Sequence, residues 1–189
     1  MYQIKSYVLS TMLLGSFCLM NSAQADMYTN TAITAETPTS QFTFDSTGTA
    51  TDTKTGLMWQ RCPVGTNYSN AGTPTNYTDD LCTAENALLS WPNALKAAQT
   101  ANTKLLSGYG DWRVPNLPEL KSIVEHRNYD PAINPVVFPS YNSSAFWTST
   151  PPGHSGYENS ATAIFFKDGD DIWPKRSAEL YVRLVRTAQ

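Results

Sequence analysis

The 189-residue chain has no surplus of positive charge, no zinc-ligand set and no apolar run long enough to be a stable membrane span. Its 13 Lys and Arg are outnumbered by 16 Asp and Glu, a net charge of −3, so no basic field draws in nucleic acid or an anionic membrane. Three cysteines and two histidines are present, and His126 and His154 lie far in sequence from Cys62 and Cys82. That excludes a structural zinc site. The apolar stretch 8–20 is shorter than the roughly 20 residues a helix needs to cross a bilayer. No serine occupies a Gly-x-Ser-x-Gly elbow. Ser149 and Ser155 are close to His154 in sequence but beside no evident acid, so no catalytic constellation stands out.

What is present begins with an export signal. Lys5 supplies a positive start, residues 8–20 an apolar run, and Ala23-Gln24-Ala25 the small residues that a signal peptidase cuts after. Residues 1–25 therefore read as a signal peptide cleaved after Ala25, and the mature chain as periplasmic or secreted with no membrane span. Lipidation at Cys18 is disfavoured by the bulky Phe17 before it. Without Lys5 the remainder carries 12 basic and 16 acidic side chains, a net −4. Cys62 and Cys82 are then the two cysteines left, and in an exported protein they are expected to pair. Closing that loop stabilises the fold by about 3 kcal/mol.

Residues 26–40, rich in Thr, Ala and Ser, read as a flexible N-terminal lead, and 41–189 as a single domain. Gln41-Phe42-Thr43-Phe44 alternates as a half-buried strand does, and Leu57-Met58-Trp59-Gln60-Arg61-Cys62 reads as another. Residues 63–80 contain Gly, Asn, Thr, Pro and Tyr with almost no aliphatics, the composition of a long surface loop. From Ser90 to Leu106 the spacing of Trp91, Ala94, Leu95, Ala98, Ala101 and Leu105 predicts a helix closed by Gly108. A second helix is expected from Leu117 to about His126, with Lys121 and Glu125 one turn apart on its outer face.

Residues 108–120 join the two. Val114-Pro115 is extended because the residue before proline avoids the helical region. Asn116 can cap the helix that follows, Pro118 loses no hydrogen bond in its first turn, and Glu119 can reach back to the cap. Further strands are expected at 145–149, at 162–166 and 171–173 around the Lys167-Asp168-Gly169-Asp170 turn, and at 180–186. Strands, then helices, then strands make an α+β fold rather than alternating βαβ units.

Six blocks occur in a characteristic order: Thr55-Gly56-Leu57-Met58-Trp59-Gln60-Arg61; Trp91 with Ala94-Leu95 and Ala97-Ala98; Gly108-Tyr109-Gly110-Asp111-Trp112-Arg113-Val114-Pro115-Asn116 with Glu119-Leu120; Phe146-Trp147-Thr148-Ser149-Thr150; Phe166-Lys167-Asp168-Gly169; and Val182-Arg183-Leu184-Val185-Arg186. Together they resemble the domain at the C-terminus of Lcl, a bacterial collagen-like adhesin. The resemblance runs from about Phe42 to Arg186. It implies an exported bacterial domain with a C-type-lectin-like fold, akin also to the formylglycine-generating enzymes: two helices packed on small antiparallel sheets with long irregular loops. It also implies adhesion, since the named adhesin is associated with glycosaminoglycans and cell surfaces. This chain departs from it in having no Gly-X-Y run and an acidic balance that suits a polyanion poorly. The lectin-type calcium pairs, Glu-Pro-Asn or Gln-Pro-Asp beside Trp-Asn-Asp, are missing as well.

The expected function is a binding or adhesion module for a cell-surface or extracellular glycan or protein, with loops 63–80 and 141–157 as the contact surface. Its candidate ligand-binding residues are Tyr68, Tyr77, Trp147, His154, Tyr157 and Trp173. Trp59, Trp91 and Trp112 are expected to fill the core, Arg113 to pair with an internal carboxylate, and Asn116 and Glu119 to start the second helix. Asp168, Asp170 and Asp171 would be the metal ligands if calcium bound, but their spacing does not fit an EF-hand loop and reads as a solvated turn, so no cofactor is expected. The alternatives are a periplasmic or secreted enzyme of unassigned activity, or an accessory subunit of a surface assembly that docks through residues 26–40.

Overall fold

Phe44, Ala50, Trp59 and Val185 belong to separate strands, yet the backbone brings them side by side onto one face of one sheet. The computed structural model describes residues 27–70, 76–84, 86–139, 143–153 and 155–189. Its elements are β1 (Tyr28–Thr29), β2 (Phe42–Asp45), β3 (Thr49–Asp52), β4 (Leu57–Gln60), β5 (Asn67–Ser69), β6 (Leu81–Thr83), α1 (Trp91–Thr103), α2 (Leu117–Lys121), β7 (Asn128–Tyr129), β8 (Ala145–Trp147), β9 (Ala163–Phe165), β10 (Asp170–Ile172) and β11 (Val185–Thr187). A four-stranded antiparallel sheet runs in the order β11-β4-β3-β2, a three-stranded one in the order β10-β9-β8, and β1-β7 and β5-β6 form two-stranded ribbons. The fold is α+β.

Across the larger sheet Ala50 is the direct neighbour of Trp59 on one side and of Phe44 on the other, and its small side chain leaves room for both rings. Two apolar cores result. One gathers Trp59, Leu120, Ile123, Phe138, Phe146 and Ile164; the other packs Ala94, Ala98 and Ala101 of α1 against Trp112, Trp147, Val182 and Leu184. Phe146 and Trp147 are consecutive, as are Leu184 and Val185, and each pair sends one side chain to each core. That is the period-2 alternation of an extended chain lying between two apolar layers.

Both helices are shorter than their periodicity suggests. α1 stops at Thr103, because Leu105 turns left-handed (φ 50°) and a 3-10 turn follows over Leu106–Gly108. The reversal brings Trp112 back under the helix, where its backbone N–H and C=O both bond the Asn102 amide (2.6 and 2.9 Å). Leu105, expected on the packed face, is exposed. Ser90 holds the cap position by its backbone alone. α2 ends at Lys121, after which Val124 bridges to Ile133 as a strand would. Lys121 and Glu125 therefore do not share an outer helical face: Lys121 binds Asp171 (2.8 Å), and Glu125 turns inward.

Glu125 explains a second difference. Residues 27–40 are not a free lead. Thr37 is 2% exposed, and its N–H (2.8 Å) and hydroxyl (3.0 Å) both donate to the Glu125 carboxylate, which also accepts the Glu36 N–H (3.2 Å). β1 adds itself to β7, and the Thr37 carbonyl accepts from Asn134 (2.8 Å). A Thr-rich composition reads as spacer, but its backbone donors find a buried carboxylate, and that docks it. The signal segment 1–25 lies outside the described residues. Among those described, no helix is long and apolar enough to cross a membrane.

Candidate functional site

The loop after β4 is organised by Arg61, an arginine with no exposed side chain. Its guanidinium pairs with buried Asp80 and donates to the carbonyls of Val136 (2.7 Å) and Val137 (2.9 Å) and to the Tyr68 hydroxyl (3.0 Å). The rings of Phe44, Tyr68 and Tyr77 surround it at 4.8, 5.2 and 5.6 Å. Aromatic faces favour a cation placed over them, and three of them offset part of the cost of burying one. Burial, with Asp80 beside it, pushes the Tyr68 hydroxyl up to about 12. Cys62 and Cys82 form the expected disulfide, with a Cα–Cα distance of 5.6 Å, and β5 and β6 turn part of the supposed open loop into a ribbon. Tyr68 and Tyr77, read from the sequence as ligand contacts, are half-buried against Arg61 in this arrangement.

Residues 108–120 brace the other side. Trp112 is buried with its indole N–H on the Leu106 carbonyl (2.8 Å). Arg113 holds Glu119 through two parallel bonds of 2.6 and 2.7 Å, and the Asn116 side chain and Glu119 close a capping box on α2. Asp111 pairs with Arg186 (2.6 Å). Trp59 is fully buried, and Trp91 is half-buried with its indole N–H on Thr148 O (2.8 Å) and the Arg176 guanidinium 4.7 Å above its ring.

Trp147, expected at the ligand surface, lies in the core instead. It is completely buried, with its indole N–H on the Leu89 carbonyl (2.7 Å), so its ring has no face to offer a ligand. Its nearness to loop-rich stretches suggested exposure, but α1 and the 180–184 segment cover it. Tyr157 and Trp173 do stand at the surface, 42% and 37% exposed, and the fold places their rings 6.0 Å apart although they belong to different loops. His154 lies outside the described residues. In the β9–β10 turn, Asp168 accepts the Asp170 N–H (3.1 Å) and Asp171 is taken by Lys121, so the carboxylates serve the turn and an ion pair. Among the described residues no three His, Cys, Asp or Glu side chains come together to hold a metal.

A cleft of about 500 Å³ opens between the C-terminal half of α1 and the loop that the disulfide anchors. Its deep lining is aliphatic, with Pro63, Ala101 and Leu184 buried, and its mouth is polar, with Ser46, Thr47 and Lys104 exposed. Of the described residues that line it, Lys104 and Tyr68 are the ones with an ionisable side chain. Ser107 sits at its edge in a left-handed conformation (φ 51°), held by donating to the Thr47 carbonyl (3.1 Å) and accepting from the Gln60 amide (2.9 Å).

The sequence blocks fall on these features in order: β4 and Arg61, α1, the 108–120 brace, β8, the β9–β10 turn and β11. The family model of the Lcl C-terminal domain matches residues 48–186. The chain belongs to that family. No curated protein matches it. The span of the Lcl C-terminal domain takes in Arg61 with Tyr68, Tyr77 and Asp80, the aliphatic lining of the cleft and the Tyr157–Trp173 pair, and it leaves out the docked lead, β1, β2 with Phe44, and Ser46 and Thr47 at the cleft mouth.

The buried polar centres of this Lcl C-terminal domain are only faintly marked in its sequence. Arg61 was visible as a charge at the end of an apolar strand beside a cysteine, a position where a cation has to be paired. Arg183 is also buried, and its guanidinium donates to the Gln60 carbonyl (3.0 Å) and to that of Arg61, while stacking over Phe138 at 4.5 Å. Burial and the neighbouring Arg61 push its pKa down to about 9. Asp80 carried no signal, since it lies in a polar loop where an aspartate is ordinary.

Proposed function

We propose that this Lcl C-terminal domain is an exported binding or adhesion module, periplasmic or secreted, with a C-type-lectin-like arrangement and no catalytic activity. Its ligand is a cell-surface or extracellular glycan or protein, and the loops carry the contact. The observation that supports this reading best is the Tyr157–Trp173 pair: two large rings from separate loops, side by side and both exposed. Exposed rings on a rigid scaffold are anchors for recognition, since they bring contact area at low cost in side-chain entropy.

A glycan array and a pull-down from cell-surface extracts test the proposal. The expected result is a retained ligand whose affinity falls about tenfold in Tyr157→Ala and in Trp173→Ala, as at interface anchors. A folded protein that retains nothing in either assay rejects it.

A further inference from the structure

We infer that the cleft between α1 and the disulfide-anchored loop is a second binding site, for a small soluble amphiphile with an aliphatic body and one negatively charged head, such as a medium-chain carboxylate. Its volume of about 500 Å³ falls in the range of small-molecule sites. The lining decides the chemistry. Pro63, Val64, Ala97, Ala101, Leu106 and Leu184 give it an aliphatic wall. Tyr68 is the single aromatic among its described lining residues, and that ring is already placed over the Arg61 guanidinium. A flat sugar face therefore finds no stacking platform here, whereas an alkyl chain finds a matching surface.

The head group follows from charge. Lys104 is exposed at the mouth and makes no ion pair among the described residues, and no carboxylate lines the cleft with it. One cation above an aliphatic wall complements one anion on an aliphatic chain. Hydroxyls of Thr47, Thr66, Thr100 and Ser107 complete the polar mouth.

A separate observation marks the same place. Leu105 and Ser107 are both left-handed (φ 50° and 51°) without being glycine, and Ser107 is tied to Thr47 and to Gln60 across the cleft edge. Such conformations persist where surrounding bonds over-determine them, and they cluster at ligand sites. Here they set Leu106 and Lys104 on the same lip.

The test uses the mature chain titrated with sodium octanoate below its micelle concentration, followed by calorimetry, with octyl glucoside as a neutral-headed control. The expected result is saturable 1:1 octanoate binding that weakens about three- to fivefold in Lys104→Met, the size of a solvent-exposed ion pair. Octyl glucoside should bind more weakly than octanoate and be indifferent to Lys104→Met. Ala97→Trp, or Thr100→Trp if the first variant does not fold, should fill the cleft and remove binding. Trp173→Ala should leave octanoate binding unchanged, which separates this site from the aromatic pair. No saturable octanoate binding overturns the inference, as does binding that survives the cleft-filling variant or equal affinity for the two heads.

Discussion

Arg61 shows how one side chain can hold several stretches of chain. It touches β2 through Phe44, the disulfide loop through Tyr68, Tyr77 and Asp80, and the 134–139 segment through two carbonyls. An isolated buried guanidinium is very unfavourable, so the whole arrangement depends on Asp80. Asp80→Ala leaves that charge uncompensated and should destabilise the domain by about 3–5 kcal/mol, read from the urea midpoint. A loss below about 1 kcal/mol would show that water reaches Arg61 and that the cage is not a buried centre. At this scale the sequence was legible for apolar residues and poorly so for polar ones. Trp59 and Trp112 announced their burial by periodicity. Arg61, Arg183 and Glu125 are buried against Asp80, the Gln60 carbonyl and Thr37, which lie 19, 123 and 88 positions away and which no local pattern encodes.

Among the elements, α2 is the most instructive. Its start was readable, because a capping box and a first-turn proline are local chemistry written in the four consecutive residues Asn116 to Glu119. Its end was not, because Glu125 leaves the helical path to collect donors from Glu36 and Thr37. Periodicity also hid the early end of α1, where the Trp112 backbone claims the Asn102 side chain. Glu119 closes the capping box and also binds Arg113. Its burial raises its pKa, but the Arg113 guanidinium and the Asn116 amide outweigh that and hold the carboxyl below its ordinary 4.5. A depressed carboxyl contributes stability that is fully present above the unfolded value and is lost as pH falls through the folded one. The stability difference between wild type and Glu119→Gln should therefore be largest at neutral pH and shrink on acidification below about 4.5. A difference that stays constant across an acid titration by chemical denaturation would contradict the pairing.

For the molecule as a whole, the α+β class and the disulfide followed from element order and cysteine count, whereas the location of the concave site did not. The cleft is built by α1 and a loop that the sequence presents as featureless, and it exists because the disulfide and Arg61 pin that loop down. Replacing Cys62 and Cys82 together by serine should cost about 3 kcal/mol, measured as a shift in the urea transition. The loop between them should become accessible to limited proteolysis. An unchanged transition would mean that Arg61 alone closes this part of the fold.

The docked lead sets a direction. β1 lies on β7, and the chain just after β7 is bonded to Lys167 and Phe166, at the turn end of the β9–β10 hairpin. Trp173 and Tyr157 sit toward the other end, where Ser160 pairs with Lys175. Asp170 stands opposite Phe165, so Phe166 is level with Gly169 across the turn, and at the usual rise per residue the strand from there to Trp173 separates the two ends by on the order of 13 Å. The hairpin thus acts as a handle and a tip. Anything that holds the chain just upstream of Tyr28 grips the handle, and the aromatic pair then lies at the far end from that hold.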